Sequence, residues 1–466
     1  MSLSETLRNQ CSLIVNVTCC SIVSLSMCTA ISQESSDYAF THVNVLTMDS
    51  ADVLLDQTVV ISGEKIVAIG ATESVPVPHN ALIIDAPGRY LMPGLAEMHG
   101  HVPGNDDQQY LKDVLFLYIA NGVTTVRGMQ GEPSHLELRA QLANHEILGP
   151  RFITSGPGLR GSSLAGPDDA RQTVLAQASA GYDFIKLLPG LSQSEFNAVV
   201  IAANEVDISI AGHVSVDVGV SGALDAGQAT IDHLDGYIQY LLPPEIDHSK
   251  IPAGYYGVNL LDLVDENRIT KAAIDTRKAG VSIVPTQALI EHTATPSPTA
   301  QERAALPEMA YMPPEIIQRW VESKERNIGR MPDVPEAASH LQNIRKRLIK
   351  AMHDEGVNLL LGSDAPQTFN VPGISLHQEL KLIIEAGLSP YEALLTGTAA
   401  PAEFFGLDDE FGRIRTGLAA DLILVENNPL ENIDPGNYPL GVMVRGIWLD
   451  RATLDDGLAT IAARHR

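Results

Sequence analysis

Eight short apolar runs recur between residues 91 and 364, with helical stretches between them. They are 91-LMPGLAEMHGH-101, 121-NGVTTVRGM-129, 150-PRFITSG-156, 182-YDFIKLLP-189, 208-ISIAGHV-214, 229-ATIDHLD-235, 280-GVSIVPTQ-287 and 356-GVNLLLGSD-364. Intervals such as 168-DDARQTVLAQASAG-181 and 193-QSEFNAVVIAANEV-206 carry helical periodicity. Gly122, Gly181 and Gly356 stand where a helical pattern ends and a strand pattern begins, as helix C-cap glycines do. Alternation of this kind predicts an α/β chain with a parallel sheet. Eight repeats predict a (β/α)8 TIM barrel, whose chemistry lies at the C-terminal ends of its strands.

The flanks differ from the middle. Residues 42-HVNVLTMD-49, 58-TVVISGEKIVAIG-70 and 81-ALIIDAPGRYL-91 read as strands, with Ser62-Gly63-Glu64-Lys65 as a hairpin turn. Strand-like material returns at 413-RIRTGLAADLILVENN-428 and 440-LGVMVRGIWLD-450. A small β-sandwich domain built from residues 31–91 and 412–466 is therefore expected beside a barrel of residues 92–411. The intervals after the sixth and seventh strands are long. The first contains 237-YIQYLLPPEIDHSKIPAGYYG-257, a composition suited to a lid or substrate loop.

All four cysteines lie in the first 28 residues, so the rest of the chain can form neither a disulfide framework nor a thiolate metal site. The segment 11-CSLIVNVTCCSIVSLSMCTA-30, with Arg8 before it and a small-residue end, reads as a signal peptide over residues 1–30. A secreted or periplasmic protein is expected, with no membrane association once the signal is removed. The formal net charge of -26 excludes nucleic acid, because phosphate contacts require a basic patch. The expected partner is a small-molecule substrate, and a homo-oligomer is compatible with the composition.

Polar residues interrupt or close the apolar runs at matching places. His99 and His101 end the first strand, and on a strand side chains at i and i+2 share a face. Lys186 lies in the fourth, His213 closes the fifth, His233 follows the sixth and Asp364 closes the eighth. A barrel brings strand ends to one mouth, where four imidazoles and a carboxylate suit Zn²⁺ or a similar ion. Lys186 has no acid beside it in sequence, and a buried, unpaired ammonium tends to lose its proton. The neutral amine can then take up CO₂ as a metal-bridging carbamate. Each residue also has an ordinary alternative. Lys186 could snorkel to solvent, His213 could be a satisfied core histidine, His233 could cap a turn beside Asp232 and Asp235, and Asp364 could be a turn aspartate. All of these would have to hold together on barrel-spaced strands.

From about residue 41 onward the chain resembles the amidohydrolase superfamily. The resemblance rests on 91-LMPGLAEMHGH-101, 184-FIK-186, 211-AGHV-214, 230-TIDHLDG-236, 362-GSDAP-366 and 416-TGLAADLILVE-426. The set HxH, Lys, His, His, Asp is similar to the binuclear subtype with a carboxylated lysine. The stretch 211–236 is similar to the prolidase-like and imidazolonepropionase-like branch, which includes metal-dependent dipeptidases, carboxypeptidases and amidases such as ochratoxin hydrolases. One departure lies at Glu97 and Gly100, where Asp and other residues are more usual; it leaves the ligand set unaltered. The resemblance implies that His99, His101 and Asp364 hold a more buried metal ion and that His213 and His233 hold a more exposed one. Carboxylated Lys186 would bridge the two zinc-like ions, and Asp364 would carry the proton from an attacking hydroxide to the leaving amine. The implied activity is hydrolysis of amide C–N bonds, as a dipeptidase, carboxypeptidase or N-acyl amino acid hydrolase. A cyclic amide or lactone hydrolase is the alternative, and a binding protein without catalysis comes third. Tyr237 and Arg127 are candidate substrate contacts, with core packing the alternative for Tyr237 and pairing with a structural acid the favoured reading for Arg127.

Overall fold

The structure is a computed structural model describing residues 37–247, 250–332, 334–431 and 439–465. The signal-peptide reading of residues 1–30 lies outside the described residues.

Both flanks form the strands expected of them. Those of the N-terminal flank are β1 (Tyr38–Leu46), β2 (Val53–Ser62), β3 (Lys65–Ala71), β4 (Leu82–Asp85) and β5 (Tyr90–Pro93). β2 and β3 form the hairpin, Ser62 pairing with Lys65 across a turn in which Gly63 takes φ 58°.

The barrel region supplies β6 (Leu95–Gly100), β7 (Val123–Gly128), β8 (Arg151–Thr154), β9 (Phe184–Leu187), β10 (Ser209–Gly212), β11 (Thr230–Asp232) and β12 (Ser282–Val284). Helices intervene, among them Gln108–Ala120, Pro167–Ala180 and Gln193–Glu205. Gly122, Gly181 and Gly356 all take positive φ just beyond helices, which a residue with a Cβ does at a steric penalty.

The strands β6–β7–β8 pair in parallel, as do β9–β10–β11–β12. Ser155 and Leu159 form parallel bridges with Phe184 and Leu187, joining the two groups. The eighth run does not form a regular strand. It makes one parallel bridge, Leu359 to Ile283, and on its other side the Leu361 carbonyl accepts from the Met98 amide at 2.8 Å. Leu95, Val126, Ile231, Ile283, Leu359 and Leu361 belong to one buried apolar cluster with helix residues such as Leu115, Leu341 and Ile383, the packing of strands against surrounding helices.

The last strands are β13 (Leu422–Val425), β14 (Gly441–Val444) and β15 (Ile447–Asp450). Where two stacked sheets were expected, both ends of the chain hydrogen-bond into a single eight-stranded sheet. Its order is β15-β14-β13-β5-β1-β2-β3, with β4 beside β1. β5 is the junction: Leu91 pairs with Val45 in parallel and with Leu424 antiparallel. Phe40, Ile61, Leu91, Leu422 and Met443 form the apolar core of this sheet. The chain then continues into the helix Arg451–Arg464, an element the strand-rich reading of residues 412–466 does not foresee. Its Leu454, Leu458 and Ile461 are buried.

Candidate metal centre

β6 delivers His99, which is 1% exposed, and His101 follows just past its end. Their ring centroids lie 5.7 Å apart, as two side chains on one strand face should. His101 Nε2 is 2.6 Å from Asp364 Oδ1. β9 delivers Lys186, fully buried, with its Nζ 3.4 Å from His99 Nε2. The His213 ring, beyond β10, stacks at 4.6 Å on that of His233, beyond β11, and His233 lies 4.5 Å from His99. The tightest group is His99, His233 and Asp364, whose ligand atoms all lie within 4.8 Å of one another. The six residues thus gather in one place through these contacts.

Burial holds the His99 and His233 imidazoles well below their ordinary pKa, and the cationic Lys186 adds to the effect in each case. Neutral rings present lone pairs. They face a buried carboxylate, Asp364, whose Oδ1 lies against His101 Nε2 at 2.6 Å without forming a hydrogen bond of ordinary geometry. Groups that offer lone pairs to one another across a dry space are stabilised by a cation between them. The donor set therefore fits a divalent metal ion.

Several residues that sequence reasoning passed over hold this group in place. Thr286 Oγ1 lies 2.8 Å from His233 Nδ1, and Asp235 Oδ2 lies 2.6 Å from His213 Nδ1. Such outer partners fix ring tautomer and orientation. Asp232, read only as part of a turn, is fully buried, with Oδ2 3.0 Å from His99 Nδ1 and 3.6 Å from Lys186 Nζ. The acid missing from the lysine's own strand thus comes from β11. Burial still lowers the Lys186 pKa, with Asp232 and Asp364 opposing it. Glu97 is no bystander either. Its carboxylate accepts from the His99 amide (2.9 Å), the Ser363 amide (2.8 Å) and the Ser363 hydroxyl (2.5 Å), tying β6 to the loop that carries Asp364.

The backbone at the site departs from ordinary conformations. His233, Thr286 and Asp364 take φ of 62°, 46° and 65°, a region that costs a residue with a side chain about 1 kcal/mol or more. Arg345, fully buried on the helix Val334–Asp354, donates to the His233 carbonyl (2.7 Å), the Pro285 carbonyl (2.8 Å) and Gln287 Oε1 (2.7 Å).

The expected substrate contact at Tyr237 is corrected, and the substrate alternative for Arg127 with it. The Tyr237 hydroxyl lies 2.6 Å from Thr276 Oγ1 in the core, and the residue is 0% exposed. Arg127 is buried between the Phe184 and Phe404 rings, donating to the Met98 carbonyl (2.7 Å) and Thr230 Oγ1 (3.2 Å). Its role is structural. The interval after β11 does border a cavity, but through Gly236, Gln239, Tyr240 and Tyr256 rather than Tyr237.

The amidohydrolase family profile matches residues 90–449. The chain belongs to the amidohydrolase family. It is 23% identical over 435 residues to an ochratoxinase of Aspergillus niger, covering 88% of this chain and 86% of that one. In fold it is similar to a bottromycin amidohydrolase (TM-score 0.71, 21% identity, 92% of this chain and 90% of that one). It is also similar to a Xaa-Pro dipeptidase with bound methionine in its active site (TM-score 0.64, 19% identity, 89% of this chain and 100% of that one). These likenesses identify an α/β fold of the TIM-barrel type, and the family generally uses a metal centre.

Proposed function

We propose that the protein is a metal-dependent hydrolase of amide C–N bonds, acting on dipeptides or N-acyl amino acids. The carrying observation is the approach of His99, His233 and Asp364 within 4.8 Å in a buried setting, with Lys186 at 3.4 Å from His99. His99, His101, His213, His233, Asp364 and a carboxylated Lys186 would hold two divalent ions, zinc for preference. Such ions supply a deprotonated water at neutral pH and polarise the scissile carbonyl.

The chain's own residues do the rest. Thr286 and Asp235 orient the His233 and His213 rings, so that each presents its other nitrogen. Asp364 would accept the proton of the attacking water and deliver it to the departing amine nitrogen, a transfer that its buried place among the ligand candidates allows. Glu97 keeps the Asp364 loop in register with β6. We further propose a closed barrel over residues 92–411 beside a second domain of residues 31–91 and 412–466, and export directed by residues 1–30. The cell face on which the enzyme meets its small-molecule substrate would follow from that export.

The test is metal analysis of protein purified without chelator, paired with a panel of dipeptides and N-acyl amino acids. Metal-dependent hydrolysis, lost with chelator and restored by zinc, is expected. Ring opening of cyclic amides or lactones without any linear hydrolysis would replace the substrate reading. Failure to take up zinc in the presence of bicarbonate would favour a binding protein.

A further inference from the structure

Four valines follow His213 at every second position: Val214, Val216, Val218 and Val220. In a strand, that spacing would put them on one face. Here the segment is a turn running into the helix Gly219–Asp225, yet all four line the same cavity of about 520 Å³. His213 and Asp235 also line it, so the cavity meets the candidate metal centre at His213. Leu234 and Ala253 extend the apolar wall. Gly236 keeps that wall recessed: it takes φ 77°, and a Cβ there would approach Val220 Cγ2 to 3.1 Å.

Part of the polar lining is committed elsewhere. Ser215 Oγ accepts from the Leu191 amide (2.9 Å), Asp235 is held by His213, and the Tyr240 hydroxyl donates to Asp275 (2.7 Å). Among the described residues no lysine or arginine lines the cavity. Against the valine wall a carboxylate would lose hydration with no lysine or arginine to replace it, in a protein whose net charge is already -26. Val216, at the rim, is 81% exposed, an apolar surface left uncovered beside the site.

Resting on the amide-hydrolase reading, we infer that the valine-lined cavity is a specificity subsite for an uncharged hydrocarbon substituent of the substrate, and that it rejects an anionic one. Any carboxylate of the substrate points away from this wall.

Calorimetry of primary alkyl alcohols of rising chain length, against ω-carboxylates of equal length, reads the subsite without turnover in the metal-loaded protein. Affinity for the neutral series should rise about fourfold per methylene until the cavity is filled. The ω-carboxylates should bind about tenfold or more weakly than their neutral counterparts. Val216→Ser, at an exposed position where folding is not at stake, should flatten the chain-length slope, and Val218→Asp should reverse it. Flat affinity, or equal binding of the carboxylates, would overturn the assignment. A parallel kinetic series with N-acyl substrates separates the two claims. A chain-length slope in binding with no hydrolysis of any amide would retire the hydrolase reading and leave the subsite standing. Hydrolysis that favours an anionic chain would do the opposite.

Discussion

Arg345 donates to the carbonyl of His233 at 2.7 Å across 112 positions of sequence. The acceptor belongs to a residue in the left-handed region, so the contact holds a strained backbone in the one conformation that aims the imidazole at Asp364. Only the planar guanidinium can serve the His233 and Pro285 carbonyls and Gln287 Oε1 at once. Arg345→Lys should therefore lower stability by about 2–4 kcal/mol and weaken zinc binding with it. Urea unfolding and a zinc titration check both, and unchanged values in the two would remove Arg345 from the account of the site.

Lys186→Met should leave a folded protein, because it replaces a buried cation with an apolar chain of similar length. Its metal content should fall by roughly half or more, and its amide hydrolysis by about 100-fold or more. Bicarbonate should raise metal uptake in the wild type and have no effect in the variant. Full metal content in Lys186→Met would reduce the lysine to a structural partner of Asp232.

Asp235→Ala leaves the His213 Nδ1 without its partner at the edge of the cavity. Metal affinity should drop about 10- to 100-fold, with the melting temperature of the metal-free protein little changed. A titration in chelator-buffered zinc decides it; an unaltered curve would separate Asp235 from the centre.

Tyr237→Phe removes one buried hydrogen bond, to Thr276, and should cost about 1 kcal/mol of stability. Steady-state kinetics should be unaffected. A large loss of kcat/KM would return Tyr237 to the substrate contacts.

Glu379 makes stability depend on pH. Burial pushes its carboxyl up to about 7, against the opposing pull of the Ala288 and Gln287 amides that bond it. Between about 4.5 and 7 the folded protein keeps a proton that the unfolded chain releases, so stability falls as pH rises through that window. The full penalty, on the order of 3 kcal/mol, is reached above it. Unfolding free energies from pH 5 to pH 8 should fall less steeply in Glu379→Gln than in the wild type, the buried Glu97, pushed up to about 8, keeping its own share of the slope. Parallel profiles would contradict the assignment.

The six ligand candidates were legible because each breaks an apolar run at a strand end, a local conflict that sequence displays openly. Their supports were not. Glu97 meets Ser363 across 266 positions, Thr286 meets His233 across 53, and no local pattern marks either pairing. Tyr237 was misread because adjacency to His233 suggested the mouth, whereas the positive φ of Leu234 and Gly236 turns the chain so that Tyr237 faces the core. The eighth run looked like a strand by composition. It makes only one bridge, because the chain turns at Asp364, where φ is positive. Composition also made both flanks legible as strands, but not their union: which edges meet is decided by partners some 330 residues apart.

That union imposes an order on synthesis. β5 emerges from the ribosome early, with one edge paired to β1 and the other reserved for β13. At about 5–20 residues per second, the reserved edge waits roughly 15–70 s for its partner to be translated. Throughout that time the nascent chain presents an open strand edge that a neighbouring polysome could pair with. Slowing elongation near the 3′ end of the message should thus lower the yield of native protein, even though no codon for a metal ligand candidate has been touched.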